Sequence, residues 1–265
     1  MRMARIIFFG SLIFLVSAQL SSQPTSTTVQ RDPQAVAVLQ QTIAAMGGGT
    51  AIGSVQDFTG SGTITYYWAG AEVNCAVTLR GKGGEEFRLD SNLPQGTKSW
   101  AVSDGQGSIQ EPTGQKSSIP FSNSWNLANL STPGLALLAA LNDSSLSIIL
   151  AGQPAIGGKQ LYDIRLQKNF GSTDDPNGNL SKWSQRDYLI DPTTLMVVAA
   201  QDMQYSNDSS RHSFRHQIAF ADYRGVNGAS FPFSITETVE GQQTWTIQLT
   251  SITLNSGLTD STFQL

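Results

Sequence analysis

From Arg211 to Leu254 apolar and polar side chains alternate. Phe214, Ile218 and Phe220 take even positions, while Ser213, Arg215 and Gln217 fall between them, a period of two that predicts a half-buried strand. Val226-Asn227-Gly228 supplies a hairpin turn, because Asn-Gly takes the positive φ angles that a tight turn needs, and Phe231, Phe233, Ile235 and Val239 resume the alternation. Beyond a second turn at Glu240-Gly241 the apolar face is Trp245, Ile247 and Leu249. The phase then slips to Ile252 and Leu254, which predicts a bulge near Thr250-Ser251.

The same pattern recurs upstream. Phe58, Ile64, Tyr66 and Trp68 share one side of a strand, with Gly60 and Gly62 permitting a bend. Val73, Cys75, Val77 and Leu79, and then Phe87 and Leu89, continue a meander. Residues 99–104 and 108–111 read as a hairpin turning through Asp104-Gly105, and further strands are expected over 146–150, 161–167, 183–190 and 196–205.

Two segments follow a helical period instead. Asp32-Pro33 is a cap followed by proline at the first helical position, and Val36, Leu39, Ile43 and Met46 form one stripe before Gly47-Gly48-Gly49 stops the helix. Thr132-Pro133 opens a second helix whose Leu135, Leu137, Leu138 and Leu141 cover more than one face.

The pattern thus predicts a mainly β (α+β) chain of about ten or eleven mostly antiparallel strands with two main helices. Ten strands at about 4.8 Å spacing span about 48 Å, whereas two helices of about 10 Å diameter shield about 20 Å. The sheet must therefore curl into an incomplete barrel, with the helices as lid or plug. Its interior is either filled by aromatic side chains or left open for an apolar ligand.

Composition narrows the setting. A chain of 265 residues fits one β-rich domain, expected over 32–265. Arg2 and Arg5, the apolar run from Ile6 to Val16 and the small residues Val16-Ser17-Ala18 read as an export signal over 1–18, and the Ser/Thr/Gln-rich stretch 19–31 reads as a flexible leader. The expected location is periplasmic or secreted. With the signal removed, 16 basic residues less Arg2 and Arg5 stand against 20 acidic ones, about −6, a balance that disfavours nucleic acid. Cys75 is the sole cysteine, so the chain forms no internal disulfide, and its parity with Val73 and Val77 predicts an inert buried thiol.

Motifs for chemistry are absent. No serine-nucleophile elbow, zinc-protease helix, phosphate loop or cysteine cluster occurs, and Asp175-Pro176-Asn177-Gly178-Asn179 lacks the sixth-position glycine and closing glutamate of a calcium loop, so a hairpin loop is expected there. His212 and His216 lie on one side of a strand about 13 Å apart, too far to share a metal ion. His216 falls in the apolar phase, as a hydrogen-bonded interior histidine or as a pH-sensitive one.

The run Asp222-Tyr223-Arg224-Gly225-Val226-Asn227-Gly228-Ala229-Ser230-Phe231-Pro232, with Ile252-Thr253-Leu254-Asn255 and Leu258-Thr259-Asp260-Ser261-Thr262-Phe263, resembles the ends of periplasmic lipoprotein-carrier (LolA-like) and outer-membrane lipoprotein-sorting proteins. The resemblance implies an incomplete antiparallel barrel with a helical lid and a cavity that receives acyl chains. The family's ligand-gating arginine matches no motif here; Arg80 and Arg88 stand on strands but alternate toward the polar face. The expected function is an exported, non-enzymatic, cofactor-free binding protein for a lipid or an acylated protein, in transient contact with membranes. The cavity candidates are Tyr66, Trp68, Leu138, Phe214, His216, Phe220, Phe233 and Trp245. The competing expectation is a protein–protein interaction module with a solid core.

Overall fold

The computed structural model describes residues 28–68, 70–130, 132–206 and 209–265. The signal segment 1–18 and the leader as far as residue 27 lie outside the described residues. Two helices, α1 (Pro33–Ala45) and α2 (Gly48–Gly53), precede a meander of β1 (Asp57–Trp68), β2 (Ala71–Lys82), β3 (Glu86–Leu93), β4 (Gly96–Ser103), β5 (Gln106–Gln110) and β6 (Lys116–Ile119). Helices α3 (Phe121–Leu130) and α4 (Pro133–Asn142) follow. A second meander comprises β7 (Leu146–Gly152), the small hairpin β8 (Ala155–Ile156) and β9 (Lys159–Gln160), β10 (Tyr162–Lys168), the short helices α5 (Gly171–Asp174) and α6 (Asn179–Trp183), β11 (Arg186–Ile190), β12 (Val197–Ser206), β13 (Ser209–Val226), β14 (Ala229–Val239) and β15 (Gln242–Leu254).

Among the described residues thirteen strands form one curled, unclosed sheet in the order β6-β5-β4-β3-β2-β1-β15-β14-β13-β12-β11-β10-β7, every neighbour antiparallel. Pairing of β1 with β15 joins the two meanders, and the register slips between Ser61 and Gly62, leaving Thr250 as the extra residue of the bulge expected there. Gly62 fits the slip because a Cβ at that position would lie 2.1 Å from the Gln248 carbonyl oxygen. The turns at Asp104-Gly105, Asn227-Gly228 and Glu240-Gly241 each place two successive residues at positive φ, as the sequence pattern predicts.

The apolar side of the curl is continuous. Ile64, Val77, Leu79, Leu89, Ile164, Leu166, Tyr188, Ile218, Phe220, Ile235 and Ile247 are buried on it with Leu39 and Ile43 of α1 and Leu137 of α4. Asp32 caps α1, its Oδ1 accepting from the Gln34 and Ala35 amides at 2.8 and 3.4 Å. The triglycine ends α1 without leading directly to the sheet: Gly47 turns at φ 115° and α2 starts at Gly48. Residues 30–32 cover the free edge of β7, with Ile148 donating to the Gln30 carbonyl at 2.8 Å and Asp32 donating to the Ile148 carbonyl at 2.9 Å.

Three sequence expectations are corrected. Strand β11 starts at Arg186 rather than at residue 183, and the preceding loop carries α5 and α6. Asp175, three residues before the Gly178 N-cap, accepts from the Leu180 and Ser181 amides of the first turn of α6 at 3.1 and 2.8 Å. Strand β6 and helix α3, which the pattern did not signal, link the first meander to α4. Helix α3 is rich in serine and asparagine, poor helix formers that favour local backbone bonds in isolation, so its helicity comes from tertiary partners.

Candidate functional site

Those partners place α3 across the gap in the curl. It packs against β5 on one flank and β12 on the other. Asn123 grips β12 at Tyr205, donating from Nδ2 to the carbonyl at 2.8 Å and accepting from the amide at 2.7 Å. On the other flank the Ser124 hydroxyl donates to the Gly105 carbonyl at 2.5 Å. Asn126 donates to the carbonyls of Trp183 and Gln185 at 3.0 and 3.3 Å and to Asp202 Oδ2 at 3.3 Å. The helix is thus held mainly by polar clips, each of them a modest net contribution of about 1 kcal/mol.

Helix α3 also separates two spaces. Behind Leu127 lies a cavity of about 30 Å³ walled by Leu79, Leu89, Trp100, Ile235, Glu237 and Trp245 among others. In front, Trp125 faces a groove of about 1140 Å³ that runs between the β2–β3 and β4–β5 turns and helix α4, with Val102, Ala139, Ala140, Leu146, Lys168 and Arg186 on its walls. The inner cavity is far below the roughly 300 Å³ of a small-molecule site, whereas the groove exceeds it. An aromatic cluster backs α3: the Phe121 and Trp125 rings lie 5.2 Å apart, and Trp125 lies 5.3 Å from Phe170.

A buried polar chain crosses the core beside the cavity. Arg186 Nη1 donates to Asn126 Oδ1 at 3.3 Å, and Asn126 reaches Asp202. His216 Nδ1 meets Asp202 Oδ1 at 2.5 Å and its Nε2 meets Glu237 Oε1 at 3.1 Å, while the Thr244 hydroxyl donates to Glu237. Burial pulls the imidazole pKa down, but the hydrogen bonds and charges of the two carboxylates more than reverse this, pushing it up to about 10. His216 is therefore an imidazolium at neutral pH.

The eight sequence candidates scatter around these features. Trp245 lines the cavity. His216 belongs to the polar chain, and Phe220 and Phe233 are buried in the core, the latter under the Arg224 guanidinium at 4.4 Å. Tyr66 is half-buried and shares a 2.8 Å hydrogen bond with the Ser91 hydroxyl; burial pushes its phenol up to about 12. Leu138 packs over the glycine backbone of α2. Trp68 and Phe214 are corrected as interior residues: they are 79% and 42% exposed, because Trp68 lies beyond the pairing of β1 with β15 and Phe214 beyond the pairing of β13 with β14. His212 is exposed as well. Arg80 and Arg88 both bond Asp90 on the outer face, as their parity predicted.

Sequence reasoning passed over Asn126, Leu127, Lys168 and Arg186. A signal was present for one of them: Arg186 shares the parity of Tyr188 and Ile190, a charge in the apolar phase of a strand, as do Asp202 beside Ala200 and Glu237 beside Ile235.

No protein-family profile matches the chain, and no curated protein matches its sequence. Solved structures do share its fold. A LolA superfamily protein from Nitrosomonas europaea superposes with a TM-score of 0.53 at 11% identity, covering 87% of this chain and 97% of its own. A putative outer membrane lipoprotein-sorting protein domain from Vibrio parahaemolyticus superposes with a TM-score of 0.52 at 10% identity, covering 86% of this chain and 95% of its own. The chain therefore has a LolA-like fold. No helix among the described residues is long and apolar enough to cross a membrane.

Proposed function

We propose that this protein is an exported, non-catalytic carrier or sensor that binds an apolar chain, in the form of a lipid or of the acyl group of a modified protein. The observation that carries the reading is an unclosed sheet with an apolar inner face, reached through a groove of about 1140 Å³ and separated from it by a helix held on polar clips. The guest seats in the groove along Trp125, Ala139 and Ala140, and displacement of α3 extends its path toward the cavity behind Leu127. Binding is driven by burial, worth about 0.8 kcal/mol per methylene. The two fold neighbours, one of them a putative outer membrane lipoprotein-sorting protein domain, support this assignment.

The test is incubation with detergent-solubilised membrane lipids, gel filtration and native mass spectrometry. The protein is expected to retain lipid in stoichiometric amount, and Asn126→Ala, which frees α3, is expected to load several times faster. Recovery of lipid-free protein from both forms refutes the reading. The small inner cavity favours a second reading, a protein-gripping module with a filled core. That reading predicts no uptake of any amphiphile by either form.

A further inference from the structure

The binding reading leaves the polar end of the guest open, and one corner of the groove specifies it. Leu166 of β10 pairs with Arg186 of β11. Lys168, two residues on, faces the same side as Leu166, so it is the diagonal neighbour of Arg186, with backbone positions about 7–8 Å apart. Both side chains line the groove.

Arg186 is only 5% exposed, and its Nε–H has no acceptor. Its other contacts are neutral, with Nη1 on Asn126 and a hydrogen bond to Tyr188. Among the described residues it forms no ion pair, in contrast to Arg165, which holds Asp187 in a two-point pair at 2.8 Å on the outer face. The nearest carboxylate in its network, Asp202, is reached only across Asn126. A buried guanidinium with an unsatisfied donor and no direct ion pair recovers little of its desolvation penalty, and a planar or tetrahedral oxyanion is the group whose geometry its fork fits.

Lys168 is the second cation. Its Nζ lies 5.8 Å from the ring centres of both Trp125 and Phe170, which hold it at the rim. Its nearest carboxylate, Asp143, stands 3.9 Å away, beyond hydrogen-bond range, and already accepts from the Ser145 amide and hydroxyl at 2.8 and 2.6 Å. The remaining acids of the groove, Glu85, Glu86, Asp104 and Asp260, come from the opposite flank, where Lys82 pairs with Glu86 and Asp260. The groove is thus polarised: on the β10–β11 side Arg186 has no direct ion pair and Lys168 has only the long ion pair to Asp143.

We propose that Arg186 and Lys168 form an oxyanion subsite that holds the phosphate or carboxylate head of an amphiphile, its chain lying along Val102, Trp125, Ala140 and Leu146. The proposal rests on the binding reading, and the test separates the two. Dodecyl phosphate, dodecyl maltoside and dodecyltrimethylammonium are titrated below their micellar concentrations against the full chain by calorimetry, beside inorganic phosphate alone. Dodecyl phosphate is expected to bind at least about tenfold tighter than the maltoside, the range of a charge-assisted hydrogen bond. Arg186→Gln removes this advantage and Lys168→Gln reduces it, while affinity for the maltoside is retained and Arg186→Lys restores part of the difference. Should Arg186→Gln fail to fold, the rim variant Lys168→Gln decides. Equal affinity for the three amphiphiles overturns the subsite and leaves the binding reading standing, whereas no binding of any of them overturns both. Inorganic phosphate binding as tightly as dodecyl phosphate overturns the head-group assignment in favour of a free oxyanion; weak binding supports the head group.

Discussion

Replacing His216 with phenylalanine removes the cation that bridges two buried carboxylates. Asp202 and Glu237 are 9% and 6% exposed, and each faces one nitrogen of the ring. The phenyl ring fills similar space, so packing changes little, but the carboxylates keep only Asn126 and Thr244 as neutral partners. Breaking a buried pair in this way costs about 3–5 kcal/mol. The pH dependence follows with a definite sign. The imidazole is raised to about 10 in the folded chain, against about 6.5 unfolded, so its contribution is fully present below about pH 6.5 and is lost as pH rises through 10. At about 1.4 kcal/mol per pH unit for one proton, the wild type should lose about 2.5 kcal/mol between pH 7 and 9 that the variant does not lose. Urea unfolding followed by tryptophan fluorescence at pH 7, 8 and 9 measures both quantities. Adding Asp202→Asn and Glu237→Gln to His216→Phe should recover at least half of the loss, because neither position then leaves a buried carboxylate facing the phenyl ring. A single variant within about 1 kcal/mol of wild type, with the same pH slope, would refute the reasoning.

Three other outcomes are expected. The buried Asp57 carboxylate accepts from the Ser256, Gly257 and Leu258 amides at 2.7, 2.9 and 3.2 Å and anchors the C-terminal residues. Burial acts to raise its pKa, but these donors more than offset that and hold it below the usual carboxylate range, so its contribution is present above about pH 4 and lost as pH falls through its lower folded value; Asp57→Ala should cost about 2–4 kcal/mol by chemical denaturation at pH 7. Gly47→Ala should destabilise by about 2 kcal/mol or more in thermal melts, since Gly47 sits at φ 115° and an added Cβ would meet the Gly228 carbonyl oxygen at 2.1 Å. Cys75, 8% exposed with burial pushing its thiol up, should react with Ellman's reagent at least about a hundredfold more slowly in the native protein than in urea; fast native labelling would contradict the packing.

The strands and hairpins were legible because their signals are local. Period-two alternation needs only consecutive residues, and Asn227-Gly228 or Glu240-Gly241 sets a turn through its own φ preferences. Even the bulge at Thr250 showed as a slip of phase. The curl was legible too, as a mismatch between apolar strand surface and available helix. Helix α3 was not, because Asn123, Ser124 and Asn126 read as loop until β12, the β4–β5 turn and the residues between α6 and β11 supply their partners. The candidate site was read only in part: alternation marked Trp68 and Phe214 as facing inward, but whether an inward residue is covered depends on how far neighbouring strands extend.

Alternation and turn chemistry, then, dictated the antiparallel ribbon and its apolar face from the order of residues alone, since each depends on contacts no farther than the next turn. Tertiary structure decided the rest. It brought Arg186, Asp202, His216 and Glu237 from four strands into one buried chain, set α3 between a small cavity and a wide groove, and left Arg186 without a direct ion pair beside Lys168. Burial and charge pairing are properties of neighbours across the sheet, and sequence spacing carries no measure of those distances.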